Sequence, residues 1–339
     1  MPTTLKDVAA RCNVHPSTVS RVLRGKENIA ISDGTRKKIL KAVKELNYQP
    51  DQTARALRLR KSNVIGLIIP NIASPFFSGI AKSIALKCHS TGLTLIVTDT
   101  NEDQEKEIKA VYDLYSRGVD GMIIAPVQEK DHHIQDLRSR DFPFVLIDRC
   151  FDDIETNAVI NNDKQSAYDT ISSFAALGHK AIGFVSGRSN LYTIRKRLEG
   201  YKKALNEYDL ISNPDYISGG EPTLESGYES AVKLLSLSIP PTAFLISGTI
   251  ITLGVIKAIL EKGLNIPKDI SIVGYTDTIY APFLICPLST ISHDVQKIGN
   301  EAFNLLYKHM ESGNIRALSK VVIETMFYER NSTGPALIK

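Results

Sequence analysis

"LKDVAARCNVHPSTVSRVLRG", residues 5–25, holds two short apolar-periodic runs joined only by Asn13 and Val14, the second opened by a proline. A self-contained core wants longer helices, and a linker has no reason to repeat Val and Leu. Thr4, with Asp7 three residues on, makes a capping-box start. Leu5, Val8, Ala9 and Cys12 then fall at i, i+3, i+4 and i+7, one stripe of a two-turn helix. Asn13 tolerates the left-handed conformation that ends a helix, and Pro16 suits the first position of the next. In that second helix Val19, Val22 and Leu23 form the buried stripe, while Ser17, Ser20, Arg21 and Arg24 fall on the opposite side. A third helix is expected from the cap Ser32, burying Ile39, Leu40, Val43 and Leu46. The stretch reads as a helix-turn-helix: the helices are short because their neighbours complete the core, and the second keeps a polar, basic face free for a DNA groove.

A generic helical hairpin shares this periodicity, so charge decides between them. Residues 1–61 carry 14 Lys/Arg against 5 Asp/Glu, a net of +9. The remaining residues carry 27 against 32, a net of −5. A basic head on a mildly acidic body points to a polyanion partner for the head alone, and nucleic acid fits it. At 339 residues the chain exceeds one ordinary domain. The N-terminus lacks the pattern of a signal peptide, and apolar runs such as VIGLIIP from Val64 are too short to span a bilayer. Cys12, Cys88, Cys150 and Cys286 lie far apart, which suits reduced thiols, so a cytoplasmic protein is expected.

From Val64 onward, short apolar strands alternate with helical patterns: VIGLIIP, LTLIVTD, GVDGMIIAP and FPFVLID, then AIGFVSG, TAFLISG and DISIVGY. Near-continuous apolar strands alternating with helices predict parallel sheets covered on both faces. Two such sets predict two α/β lobes, with a ligand cleft at the carboxyl ends of the strands. Enzyme chemistry finds little support, because GxGxxG after a strand, GxxxxGK[ST] and GxSxG are all missing. His132 and His133 lie in a charged helix without a second ligand pair, and a solvated face is expected. His179 in "LGHK" is expected to be structural.

The blocks "LKDVAARCNVHPSTVSRVL", "ARALR", "VIGLIIPNIASPFF", "GVDGMIIAP", "LIDR", "LGHKAIGFVSG", "RLEGY" and "DISIVGYTD" are collinear along the chain. In order and spacing they resemble the lactose-repressor (LacI/GalR) family of transcription regulators. The resemblance implies an all-α helix-turn-helix head over residues 1–48 and a hinge helix or linker over 49–61. It further implies a periplasmic-binding-protein type 1 body over 62–339. One lobe is expected from about 62–160 plus 292–321, the other from about 161–291 plus 322–339. By position, His15, Pro16, Ser17 and Arg21 fall where relatives meet bases and nearby phosphates, and Thr18 at the edge of that face meets the backbone. Arg21 suits a guanine, since a guanidinium bonds O6 and N7 together; a phosphate contact is its alternative role. His15 stands where a Ser cap is common, and Pro16 offers only an apolar contact. In the hinge, Ala54 and Leu57 are i, i+3 neighbours among Arg55, Arg58, Arg60 and Lys61. An isolated helix this short is marginal, so it should order only when bound. The resemblance puts Leu57 at the position that wedges open a central base step in the minor groove.

For the effector pocket the resemblance points to Phe76 and Phe77 after the first strand, to Asp148 and Arg149 at a strand end, and to Arg197 in "RKRLEGY". Gly248 and Thr249 replace a frequent Asn-Asp pair, Thr276 replaces the first Asp of "GYDD", and Pro222 stands where an aromatic often stacks. Asp277 should point away from Thr276. The effector is expected to be a sugar, a sugar acid or a sugar phosphate, and with carboxylates lost while Arg149 and Arg197 remain the anionic ones are favoured. The overall expectation is a cytoplasmic regulator, a repressor gated by a small carbohydrate-like effector. It would bind a palindromic double-stranded operator as a homodimer. Only nine residues follow Arg330, without heptads, so a dimer rather than a tetramer is expected. The rivals are regulation by a phosphoprotein corepressor and, from another class, a sugar-binding transport protein.

Overall fold

The computed structural model describes residues 3–23, 31–49, 61–127, 130–312 and 318–337. It divides into two units, one up to Asn63 and one from Val64, each taken by itself.

Among its described residues the first unit packs three helices, α1 (Leu5–Cys12), α2 (Pro16–Leu23) and α3 (Asp33–Glu45). Thr4 and Asp7 complete the capping box of α1, and Asn13 closes it with φ 55° and ψ 49°. Ser32 caps α3 through the Thr35 N–H. Val8, Ala9, Cys12, Val19, Val22, Ile39 and Ala42 are buried together, with Leu5, Val14, Leu23, Val43 and Leu46 packed around them. Leu40 departs from the expected stripe and stands 49 % exposed, because Ala42 takes the core-facing place beside Ile39. The expected hinge residues Ala54 and Leu57, with Arg55, Arg58 and Arg60, lie outside the described residues, as does Arg24.

The second unit holds two six-stranded sheets. Its elements begin with β1 (Val64–Ile69), α4 (Pro75–Thr91), β2 (Thr94–Asp99), α5 (Gln104–Ser116), β3 (Gly121–Ile124), α6 (His132–Ser139), β4 (Phe144–Ile147) and β5 (Ala158–Asn161). After these come α7 (Asp163–Ala176), β6 (Ile182–Ser186), α8 (Tyr192–Glu207), β7 (Ile217–Gly219), α9 (Leu224–Leu235), β8 (Ala243–Ile246), α10 (Thr249–Glu261) and β9 (Ser271–Tyr275). The chain ends with β10 (Ser289–Ser292), α11 (Val295–Ser312), β11 (Lys320–Ile323) and β12 (Met326–Tyr328). The first sheet runs β11-β5-β4-β3-β1-β2 and is parallel throughout. The second runs β12-β10-β9-β8-β6-β7, parallel except for β12.

The chain therefore crosses between lobes three times, after Asn161, after Ser292 and after Ile323. The boundaries expected at about 160, 291 and 321 each fall one or two residues inside a strand. Gly200 explains the "RLEGY" block physically: a Cβ there would sit 2.0 Å from the Lys164 carbonyl oxygen, so its absence lets α7 and α8 touch. Gly254 does the same for α10 against α9, with Leu224 O at 2.0 Å.

Two expectations about histidine part ways here. His179 is structural, bonding Thr242 Oγ1, Ser271 Oγ and the Gly334 carbonyl. His133 does not face solvent. It is fully buried with Glu107, Nε2 to Oε1 2.6 Å, while His132 stays exposed. The error came from reading the helix by its charges: His133 sits on the apolar stripe with Ile134 and Leu137.

Candidate functional site

In the first unit, Ser17 and Arg21 are exposed on one face of α2, with Pro16, Thr18 and Ser20 half-buried beside them. His15 does the work of the expected Ser cap. Its Nδ1 accepts the Ser17 N–H at 3.2 Å and lies 2.8 Å from Ser17 Oγ. That bond satisfies one of the unpaired donors at the start of α2 and fixes Ser17 at the tip of the basic face. The turn is held by Val14 N–H to Ala9 O, 3.0 Å, and Thr18 N–H to His15 O, 2.8 Å. Such a face presents donors to an acceptor-rich groove and cations to phosphates.

The second unit holds a cleft of about 560 Å³. Its walls come from the carboxyl ends of strands in both sheets: Phe76 and Phe77 after β1, Glu102 after β2, Asp148 and Arg149 after β4, and Gly187 after β6. Ser247, Gly248 and Thr249 follow β8, Thr276 follows β9, His293 follows β10, and Arg197 enters from α8. Pro222 also lines it. All seven expected effector residues therefore line one cleft. Asp277 does turn away, held by Arg330 Nη1 at 2.8 Å and by Thr290 Oγ1 at 2.7 Å.

Phe76 and Phe77 meet edge to face, centroids 5.0 Å apart, and are buried in the first lobe's core, so their roles in packing and lining coincide. His293 stands edge-on to Phe76 at 5.1 Å and stacks on Tyr275 at 6.0 Å. Sequence reasoning missed Glu102, Asp163 and His293. The signal that could have found Glu102 and His293 was available: each follows a strand whose carboxyl end should face the cleft.

The electrostatics differ from expectation. Arg149 donates Nη1 and Nη2 to Glu102 Oε2 and Oε1 at 2.9 and 2.8 Å, and Nη1 also reaches the Pro126 carbonyl. Arg197 donates Nε to Asp163 Oδ1 at 2.6 Å and Nη1 to the Ser247 carbonyl at 2.9 Å, with its guanidinium 3.7 Å from the Tyr275 ring centroid. Burial is the strongest influence on the Asp163 carboxyl and acts to raise it, but Arg197 and the neighbouring His293 together outweigh it and leave Asp163 below the usual carboxylate range. Burial raises Asp148, with Arg149 only partly offsetting it. Both arginines thus already hold a carboxylate. Arg149 Nε and both ring nitrogens of His293 are buried without a hydrogen-bond partner, although Arg149 Nε lies 3.7 Å from Asp148 Oδ2 and His293 Nε2 4.0 Å from Asp163 Oδ1. Thr276 adopts φ 74°, a left-handed conformation costly for a β-branched residue and typical of ligand sites.

Residues 4–51 match the model of bacterial regulatory proteins of the lacI family, and 171–333 match that of a periplasmic binding protein-like domain. Catabolite control protein A of Priestia megaterium is 32 % identical over 316 residues, 93 % of this chain and 95 % of that protein. The HTH-type transcriptional repressor PurR of Haemophilus influenzae (strain PittEE) is 32 % identical over 338 residues, 98 % of this chain and 99 % of that one. Among solved structures, the lac repressor dimer bound to operator and the anti-inducer ONPF superposes with a TM-score of 0.88. It is 27 % identical, covering 98 % of this chain and 100 % of that one. The chain belongs to the lacI family of bacterial regulators: it is a DNA-binding transcription regulator, not an enzyme, with a helix-turn-helix head and a two-lobed periplasmic-binding-protein-like body.

Proposed function

We propose that the protein represses transcription as a homodimer on a palindromic operator, and that an uncharged polyhydroxyl molecule in the cleft sets its affinity for DNA. The observation that carries the effector reading is the pairing of Arg149 with Glu102 and of Arg197 with Asp163. A cleft with its cations already neutralised offers hydroxyl-scale partners instead: His293, Arg149 Nε, Ser247 and Thr249, beside the apolar Phe76 and Ile251. A volume of about 560 Å³ suits a small ligand of this kind. His15, Pro16, Ser17, Thr18 and Arg21 form the reading surface, and the hinge residues Ala54 and Leu57 meet the minor groove between half-sites.

A second copy is the natural cover for the apolar side chains around residue 280. Ile279, Phe283 and Ile285 are 90 %, 85 % and 96 % exposed, far beyond what a monomer's surface ordinarily leaves in one place. Ile250 and Tyr280 connect this surface to the cleft, since both line it and both are partly exposed. Effector binding that changes lobe closure would therefore also shift the subunit contact and the spacing of the two heads. No helix among the described residues is long and apolar enough to cross a membrane, which suits action on cytoplasmic DNA.

The test selects binding sites from a random duplex pool with the full-length protein, measures mass in solution, and screens neutral sugars by thermal shift. A two-fold symmetric site, a dimer and stabilisation by a neutral sugar are expected. Recovery of an asymmetric half-site by a monomer would refute the dimer. Stabilisation by sugar acids alone would refute the uncharged effector, and response only to a phosphoprotein would favour a protein corepressor.

A further inference from the structure

We infer that Glu102 determines the specificity of the cleft by occupying, from within the protein, the place at Arg149 that a ligand carboxylate or phosphate would take. The inference deepens the effector reading above and rests on it.

A guanidinium recognises an anion through two parallel N–H donors, and Arg149 spends both on Glu102, at 2.9 and 2.8 Å. Arg149 is buried and Glu102 nearly so, which makes the pair costly to break. The backbone holds Glu102 there at some expense. Asn101 and Glu102 both take left-handed conformations, φ 52° and 55°, two successive non-glycine residues in a sparsely populated region. They are kept so by three bonds: Asn101 N–H to Asp99 Oδ1 at 2.8 Å, Glu102 N–H to the Pro70 carbonyl at 3.0 Å, and Asp103 N–H to the Thr100 carbonyl at 3.1 Å. Strain maintained at a ligand site is a reason to ask what it positions. Here it positions a carboxylate against the two Nη donors of Arg149, which lines the cleft.

Two further contacts strengthen the exclusion. Asp148 Oδ2 lies 3.7 Å from Arg149 Nε, so an anion that displaced Glu102 would still face a carboxylate on the same guanidinium. From the second lobe, Arg188 donates Nη1 to the Glu102 carbonyl at 3.0 Å while its Nε and Nη2 grip Glu221. Glu102 is thus clasped from both lobes, by its side chain in one and its backbone in the other. The alternative anion site, Arg197, is closed by Asp163, the Ser247 carbonyl and the Tyr275 ring. With Glu102 and Asp148 set against Arg149 and Asp163 against Arg197, each arginine lining the cleft among the described residues already faces a carboxylate.

Titration calorimetry on the full-length protein with D-gluconate and with inorganic phosphate tests this directly, comparing wild type, Glu102→Gln and Glu102→Gln with Arg149→Met. Wild type should bind neither anion measurably. Glu102→Gln should bind at least one at least about tenfold more tightly than wild type, equivalent to about 1.4 kcal/mol, and the added Arg149→Met should abolish the gain. Glu102→Ala serves as the second variant, with the same expectation, should the glutamine variant melt early. Wild-type binding of either anion as tight as the variant's, no gain in either variant, or a gain that survives loss of Arg149 would overturn the inference. If the variants gain anions while wild type ignores every neutral sugar, Glu102 keeps this role and the uncharged-effector reading fails instead.

Discussion

In the head, His15, Ser17 and Arg21 stand exposed on one eight-residue helix and the histidine that caps it. In the cleft, the charged side chains are buried, drawn from both sheets, and paired with one another before any ligand arrives. The two regions handle charge oppositely. A DNA backbone supplies the counter-charge for exposed cations, and its binding is salt-sensitive in consequence. In the cleft the counter-charge comes from the protein itself, Glu102 for Arg149 and Asp163 for Arg197, which offsets the cost of burying both arginines. The DNA-binding head leaves Arg21 open, whereas the cleft closes its arginines with carboxylates of its own.

The largest test of this contrast is Arg197→Ala. It would strand Asp163 in a buried site, and body stability should fall by about 3–5 kcal/mol, read by denaturant unfolding. Arg197→Ala paired with Asp163→Asn should recover part of that loss, and no recovery would show that the pair is not the unit. Next comes Gly200→Ala, whose Cβ meets the Lys164 carbonyl; it should cost about 3 kcal/mol or more by forcing α7 and α8 apart. Arg21→Ala should leave stability within about 0.5 kcal/mol, since the side chain is exposed. It should nevertheless lose about 1–3 kcal/mol of operator affinity, with discrimination relaxed at one base pair. A uniform loss across all sequences would make Arg21 a phosphate contact instead.

The smallest effect is on pH. Burial holds the His179 pKa below its usual value of 6.5, so the folded state takes up a proton less readily than the unfolded chain. Its contribution to stability is full above pH 6.5 and is lost as pH falls from there through the depressed folded value. The melting temperature should decline on acidification from pH 7 to 5, and His179→Gln should flatten that slope. An unchanged slope would show that other groups govern it.

The same contrast explains what could be read from the chain. The head's chemistry is local: Thr4 and Asp7, Asn13, Pro16 and the Val19–Val22 stripe lie within a few turns, so spacing alone placed Ser17 and Arg21 on the open face. The body's strands were legible from apolar runs, and the resemblance brought Phe76, Arg149, Arg197 and Thr276 to one cleft. Their partners were not legible. Glu102 lies 47 residues from Arg149, and Asp163 lies 34 from Arg197, so no periodicity links them. Counting arginines without these partners produced the expectation of an anionic ligand. His133 was misread for the same reason, with its partner Glu107 being 26 residues away on another helix.

The most direct measurement is operator affinity, by fluorescence anisotropy on the selected duplex, with and without the neutral sugar that most stabilises the protein. The account predicts a change of about 5- to 150-fold, the usual range of such coupling, with D-gluconate and inorganic phosphate producing none. Equal operator affinity at saturating neutral sugar, or a shift produced only by an anion, would contradict it.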